Sequence, residues 1–283
     1  MKARLYLLIP AVIVIFCSAK SVIEVFTLNK FEESFSKISD KFYMSKYEVT
    51  NLQYMTFIAD IKLKGNTEKI KMAEIDSLQW RDKLAYNEPY VELYHRHPAY
   101  NNYPVVNVSY EGASLFCEWL TGKYNSFEKR KFKKINFRLP SKDEWENAAH
   151  GGLKENDYPW GSFSLQDYKG RVMCNYNAMG DVCIHYDSET KKYVVLNHIP
   201  RPVGSLSDNG TITMPVASYF PNGLGMYNIS GNVSEMVSEK GIARGGSYKS
   251  PGYDVRIESS EKYTHPQTNI GFRICMDIIE TWK

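Results

Sequence analysis

The 283-residue chain has no Cys-x-x-Cys pair and no His-x-x-x-His pair, and no two histidines and a carboxylate fall at metal-ligand spacing. Local pairs are how most structural zinc and catalytic iron sites announce themselves, so neither is expected. A Gly-x-Ser-x-Gly elbow and a phosphate-cradling glycine loop are missing too, which removes the commonest hydrolase and nucleotide-binding readings. Net charge is low: 35 Lys and Arg against 32 Asp and Glu leave +3, too little to argue for nucleic acid. The one dense basic run, Glu128 to Lys134, falls between a predicted helix and a predicted strand and reads as a solvated connection. Internal repeats are absent, and no linker marks off a second domain.

Aromatic residues, in contrast, are plentiful. The 21 tyrosines and 13 phenylalanines suit a protein of loops and short strands, whose irregular spaces are filled by large amphipathic side chains. The N-terminus has Lys2 and Arg4, an apolar run from Leu5 to Phe16, then small residues, which is the plan of an export signal over residues 1–19. The run is short for a bilayer-spanning helix. Two fates stay open: cleavage after Ala19, or a lipid anchor at Cys17, against which the bulky Phe16 counts. Export predicts a periplasmic or outer-membrane-associated protein. Beyond Cys17 the chain keeps Cys117, Cys174, Cys183 and Cys275, an even number that permits bridges in an oxidising compartment; buried free thiols are the alternative.

Helix signals are clear at three places. Thr50 is positioned to cap a helix whose apolar positions are Leu52, Met55, Ile58 and Ala59. After the extended Val105, Val106 and Val108, Ser109 caps a helix carrying Ala113, Phe116, Cys117 and Leu120 on one stripe. Ser141 and Glu144 form a capping box, with Trp145 and Ala148 facing inward and Gly151-Gly152 ending the helix. Residues 62–100 read as an irregular excursion. Beyond Gly152 only short extended pieces are expected, such as "PVASYF" and "GFRICMD". No alternation of strands with long helices supports a doubly wound sheet, so the fold class is α+β, one irregular domain.

Two constellations could carry chemistry. In "RGGSYKSPGYDVR" (244–256) a Gly-Gly pair lets backbone pass close to a neighbouring surface, with Ser247 and Ser250 beside it; a serine without a base does little. In "NISGNVSEMV" (228–237), Asn228, Asn232 and Glu235 cluster around Gly231. Hard cations take such oxygens, but turn-forming asparagines explain them as well, and composition alone favours the turns. His95 and His97 form an H-x-H, a weak metal signal.

Seven stretches in order, "EVTNLQYMTF", "YPVVNVSYEGASLFCEWL", "FRLPSKDEWENAAHGG", "YPWGS", "PNGLGMYNISGNVSEMV", "RGGSY" and "NIGFR", resemble the formylglycine-generating enzyme (sulfatase-modifying factor) family over residues 42–277. This leaves 20–41 as a lead segment and 278–283 as a tail. The resemblance implies a C-type-lectin-like α+β domain, low in regular structure. Active members oxidise a sulfatase cysteine to formylglycine with oxygen and a copper ion held by two cysteines. Those cysteine positions correspond here to Ser250 and Val255, so copper is not expected: a hydroxyl and an isopropyl group cannot replace soft thiolates. Ser234 and Met236 replace two tryptophans of the family's substrate cleft. The calcium pattern is kept at Asn228, Gly231, Val233 and Glu235, and Asn269 and Arg273 match positions near the cleft floor. Cys117 falls where some members have a bridged cysteine, but the partner position holds Ile274, one residue before Cys275, and a one-residue shift turns a strand side chain to the other face. The expectation is an exported, non-catalytic module that assembles with envelope proteins, resembling gliding-motility and type IX secretion lipoproteins. The alternative is an oxygen-dependent oxidase of protein or small-molecule thiols with a rearranged metal site.

Overall fold

A computed structural model describes residues 28–81, 86–154, 156–177, 184–187, 189–195 and 210–282. In chain order these form α1 (Leu28–Glu33), β1 (Phe35–Lys37), β2 (Phe42–Ser45), α2 (Asn51–Leu63), α3 (Thr67–Met72), α4 (Glu88–Leu93), α5 (Tyr110–Ser126), β3 (Lys134–Arg138) and α6 (Lys142–Ala149). There follow β4 (Ile184–Asp187), β5 (Lys192–Val195), β6 (Ser234–Met236), β7 (Ile242–Arg244), β8 (Ser260–Lys262), β9 (Ile270–Phe272) and β10 (Cys275–Glu280). The fold class is α+β. The export signal and Cys17 lie outside the described residues, as does Cys183.

The helices start where local chemistry supplies partners for orphan N–H groups. Thr50 Oγ1 accepts from Gln53 N at 3.2 Å while Gln53 Oε1 accepts from Thr50 N at 2.9 Å, a reciprocal box that opens α2. Ser109 Oγ accepts from Gly112 N at 2.9 Å to open α5, and Ser141 with Glu144 does the same for α6. The α5 stripe of Ala113, Phe116, Cys117 and Leu120 is buried as expected. The α2 stripe is not the one expected: Tyr54, Phe57, Ile58 and Ile61 are buried, whereas Ala59 is exposed and Leu52 and Met55 are half-buried. Aromatic rings decide it, because Tyr54 reaches Phe116 and Phe272 and Phe57 reaches Phe116, with centroids 5.7 to 6.1 Å apart. The excursion at 62–100 is more regular than expected, holding α3, α4 and two short 3-10 turns. "PVASYF" forms no strand, and "GFRICMD" divides into β9 and β10 at Arg273 and Ile274.

That division organises the molecule. One four-stranded sheet runs β1-β2-β10-β3, antiparallel throughout; the other four-stranded sheet runs β8-β7-β6-β9, with β6 and β9 parallel; β4 and β5 form a separate antiparallel pair. β10 pairs with β2 through Met44↔Cys275 and with β3 through Arg138↔Cys275. The chain therefore steps from one sheet to the other across two residues, placing Arg273 at the junction. The main core packs α2 and α5 against both sheets through Phe57, Phe116, Met236, Phe272 and Met276; a second cluster gathers Met44, Trp145, Ile229 and Cys275. Cys117 and Cys275 are buried free thiols, so the bridge the resemblance put in doubt is not formed. Burial pushes both thiols up, Cys117 to about 12.

His95 and His97 do not converge. His97 is exposed, and its Nδ1 accepts from Ala99 N at 3.2 Å; His95 is buried, with Nε2 donating to the Val106 carbonyl at 3.1 Å. Burial lowers the His95 pKa from 6.5 to about 4. The unfolded chain takes up this proton before the folded one, so the neutral ring's stabilisation is lost as pH falls from 6.5 through 4, up to about 3 kcal/mol. Urea unfolding followed across that range is expected to show this slope in the wild type and a shallower one in His95→Gln; parallel profiles would refute it.

Candidate functional site

The Gly245-Gly246 pair is required by its surroundings. Both residues have positive φ, +85° and +65°. A Cβ on Gly245 would lie 2.6 Å from the Ile229 carbonyl oxygen, and one on Gly246 would lie 2.5 Å from that of Asp254. No side chain fits, so β7 runs directly into a tight turn that carries Ser247 and Ser250.

Beside this turn is a polar cleft of about 430 Å³ lined by Gly246, Lys249, Ser250, Glu261, Gln267 and Asn269. Ser250 Oγ accepts from Ser247 N at 3.0 Å and lies 3.2 Å from Ser247 Oγ. Asn269 Nδ2 makes long contacts to Ser247 Oγ at 3.4 Å and to both Glu261 oxygens at 3.3 and 3.4 Å. Ser234, at one of the tryptophan positions, is fully buried and donates to Glu261 Oε2 at 2.7 Å; Met236, at the other, is core. Of the expected cleft residues, Ser250 and Asn269 line this cleft with Glu261, which sequence reasoning missed, and Ser247 is buried behind them, against Ser250.

Arg273 is not at the cleft floor in the same sense. It is fully buried, and its guanidinium holds Glu235: Nη2 donates to Oε1 at 2.7 Å and Nε to Oε2 at 2.9 Å. Nη1 reaches the Ser45 carbonyl at 2.9 Å and Nη2 the Tyr227 carbonyl at 2.7 Å. Trp145 Nε1 closes the set, donating to Glu235 Oε2 at 2.8 Å. A third charge lies near. Glu48, 1% exposed, accepts from Asn232 Nδ2 at 2.7 Å and Asn228 Nδ2 at 3.3 Å, and burial pushes its carboxyl up to about 8.

Val255, at the second copper-cysteine position, is fully buried in a short 3-10 turn and packs with Tyr158 and Cys174. Cys174 thus shares a small buried cluster with Val255, a placement sequence spacing did not reveal. Among the described residues, no three or more histidines, cysteines and carboxylates converge as a metal set.

The calcium pattern fits in part. Asn228, with φ +50°, has its Oδ1 buried and without a partner, an oxygen suited to a hard cation. Gly231 and Val233 are buried in the same turn and offer only backbone carbonyls. Glu235 does not fit: a carboxylate has about four lone-pair sites, and Arg273 and Trp145 make four contacts to it.

Residues 29–278 match the sulfatase-modifying factor enzyme 1-like domain family. The chain belongs to that family. A formylglycine-generating enzyme of Thermomonospora curvata is 32% identical over 174 residues, covering 62% of this chain and 46% of the relative. A formylglycine-generating enzyme of Mus musculus is 28% identical over 292 residues, covering 86% of this chain and 68% of the relative. The inactive C-alpha-formylglycine-generating enzyme 2 of Mus musculus is 28% identical over 156 residues, covering 54% and 35%. The chain thus aligns with under half of the T. curvata enzyme's length, and its relatives include proteins named as active and as inactive.

Removing one partner of the central pair leaves a buried charge uncompensated. Arg273→Met is expected to cost about 3–5 kcal/mol of unfolding free energy, measured by urea denaturation; a loss under about 1 kcal/mol would show the pair is not structural.

Proposed function

We propose that this family member is an exported, non-catalytic module of the bacterial cell envelope that acts by binding other envelope proteins, of the gliding or secretion machinery type. The observation that carries the reading is the pair of side chains at the copper-cysteine positions. Ser250 offers a neutral hydroxyl already committed to the turn, and Val255 offers no ligand atom. Copper(I) prefers thiolates, so this pair is a poor copper site on the chemistry of the donors themselves. The replacement of two tryptophan positions by Ser234 and Met236 supports the same reading, because the aromatic wall for a substrate peptide is missing. The apolar N-terminal run supports export, with or without a lipid anchor at Cys17.

Calcium belongs to this proposal as a structural ion. Asn228 with the Gly231 and Val233 carbonyls would hold it, and it would supply charge and cross-linking to the turn rather than chemistry.

The second reading, an oxidase of thiols with a rearranged site, is favoured by one observation: Cys174 packs against Val255. A single thiol does not make the two-thiolate copper site of active members, but it is the group such a rearrangement would use. Oxygen uptake with copper and a thiol peptide separates the readings. No uptake above the buffer rate is expected, and Ser250→Cys combined with Val255→Cys is expected to gain tight copper(I) binding. Turnover by the wild type, abolished by Cys174→Ser, would establish the oxidase instead.

A further inference from the structure

Glu261 is a carboxylate turned inward without a counter-charge. It stands midway along β8, half-buried between two exposed neighbours, Ser260 and Lys262. Side chains alternate along a strand, so Lys262 faces the other side and does not neutralise it. Among the described residues the hydrogen-bond partners of Glu261 are neutral: Ser234 Oγ donates at 2.7 Å, and Asn269 Nδ2 makes contacts of 3.3 and 3.4 Å. Ser234 is fully buried in β6 and Asn269 is 5% exposed just before β9, so both reach the carboxylate from the protein side. A carboxylate has about four acceptor sites. One good bond and two long contacts leave room for a strong donor arriving from the cleft.

The cleft itself selects the kind of donor. Its lining is almost entirely polar, which gives an apolar ligand no surface to bury. Glu261 and Asp254 are its carboxylates, against Lys249, whose Nζ donates to Thr268 Oγ1 at 2.6 Å. A negative balance of this kind repels anions. A neutral polar ligand exchanges water for bonds of similar strength and gains little, whereas a charge-assisted bond is roughly twice as strong. A cation therefore gains most. Its form follows from the bonds already made. A guanidinium fork needs both carboxylate oxygens along one edge, but Ser234 holds Oε2 and Asn269 touches both. An ammonium is a compact donor that needs one oxygen, and the hydroxyls of Ser250, Ser259 and Ser260 line the same space to accept its other N–H groups. The volume of about 430 Å³ accommodates such a side chain with part of the backbone that carries it.

We propose that this cleft receives a lysine side chain of a partner protein, its ammonium paired with Glu261 and bonded to the serine hydroxyls around it. The inference rests on the partner-binding part of the preceding reading and names the chemistry of that partner; it does not depend on the non-catalytic part.

The test is titration of the isotope-labelled full chain with a blocked tripeptide carrying a central lysine, followed by amide chemical shifts, beside the same peptide carrying norleucine or arginine. The lysine peptide is expected to give saturable shifts around Ser250 and Glu261, the norleucine peptide none, and the arginine peptide weaker binding. Glu261→Gln keeps an oxygen for the Ser234 hydroxyl, so folding is preserved, and is expected to bind the lysine peptide roughly 10- to 100-fold more weakly, the worth of one charged bond. Absence of saturable lysine binding by the wild type overturns the proposal. So does a norleucine or arginine peptide that binds as tightly, or an affinity unchanged in Glu261→Gln. If Glu261→Gln does not fold, Glu261→Asp carries the comparison, because it keeps the charge and withdraws it by one methylene: a loss of about tenfold or more supports the site, and an unchanged affinity overturns it. Capture of solubilised envelope proteins is measured apart. Capture by the wild type without lysine-peptide binding keeps the preceding reading and overturns the site, and lysine-peptide binding without capture does the reverse.

Discussion

The buried Glu235–Arg273 pair is the contact on which the rest of the architecture leans. Glu235 comes from β6 of one sheet, and Arg273 stands on the two-residue step between that sheet and the other. The guanidinium also holds the carbonyl oxygens of Ser45 at the end of β2 and of Tyr227 before the asparagine turn, while Trp145 of α6 closes on the carboxylate. Four segments distant in sequence, around Ser45, Trp145, Tyr227 to Glu235 and Arg273, thus share one ion pair. Such a pair adds little net stability over an apolar substitute, because desolvation offsets the attraction. What it fixes is register: the sheets, α6 and the turn satisfy it in one relative position only.

The site is arranged around this anchor without being part of it. The Gly245-Gly246 turn is pressed against Trp145 and Ile229 on one side and against Asp254 and Val255 on the other, so its shape is imposed by packing. A scaffold held this way keeps its cleft whether or not the groups at Ser250 and Val255 can bind a metal. That is how one fold accommodates relatives named as active and as inactive.

What the sequence made legible was mostly local. Thr50, Ser109 and Ser141 cap helices because their hydroxyls meet N–H groups three residues away, a relation visible in the chain itself. The family motifs placed Ser250 and Asn269 in one cleft, with Ser247 behind them. The α2 face was misread because partners in α5 and β9, far along the chain, chose Tyr54 and Phe57 over Leu52 and Met55. Glu48 and Glu261 were missed for the same reason. Nothing near "YEVTN" or "SSEKY" says that those carboxylates turn inward; the partners of Glu48 lie 180 or more residues away, and those of Glu261 are Asn269 eight residues on and Ser234 27 residues back. The resemblance pointed to Glu235 as a calcium ligand, and its bonds to Arg273 and Trp145 come from segments that no local pattern joins to it.

One feature of the first sheet bears on how the chain reaches this state. Its inner strands are β2 and β10, joined through Phe42↔Asp277, and β10 is also the partner of β3. On a chain synthesised from its N-terminus, β2 and β3 wait without their common neighbour until β10 emerges. Closing so long a loop is entropically expensive and slow. During that wait the unpaired strand edges and the apolar faces of α2 and α5 are open to aggregation. The last strand therefore acts as the latch of the whole domain.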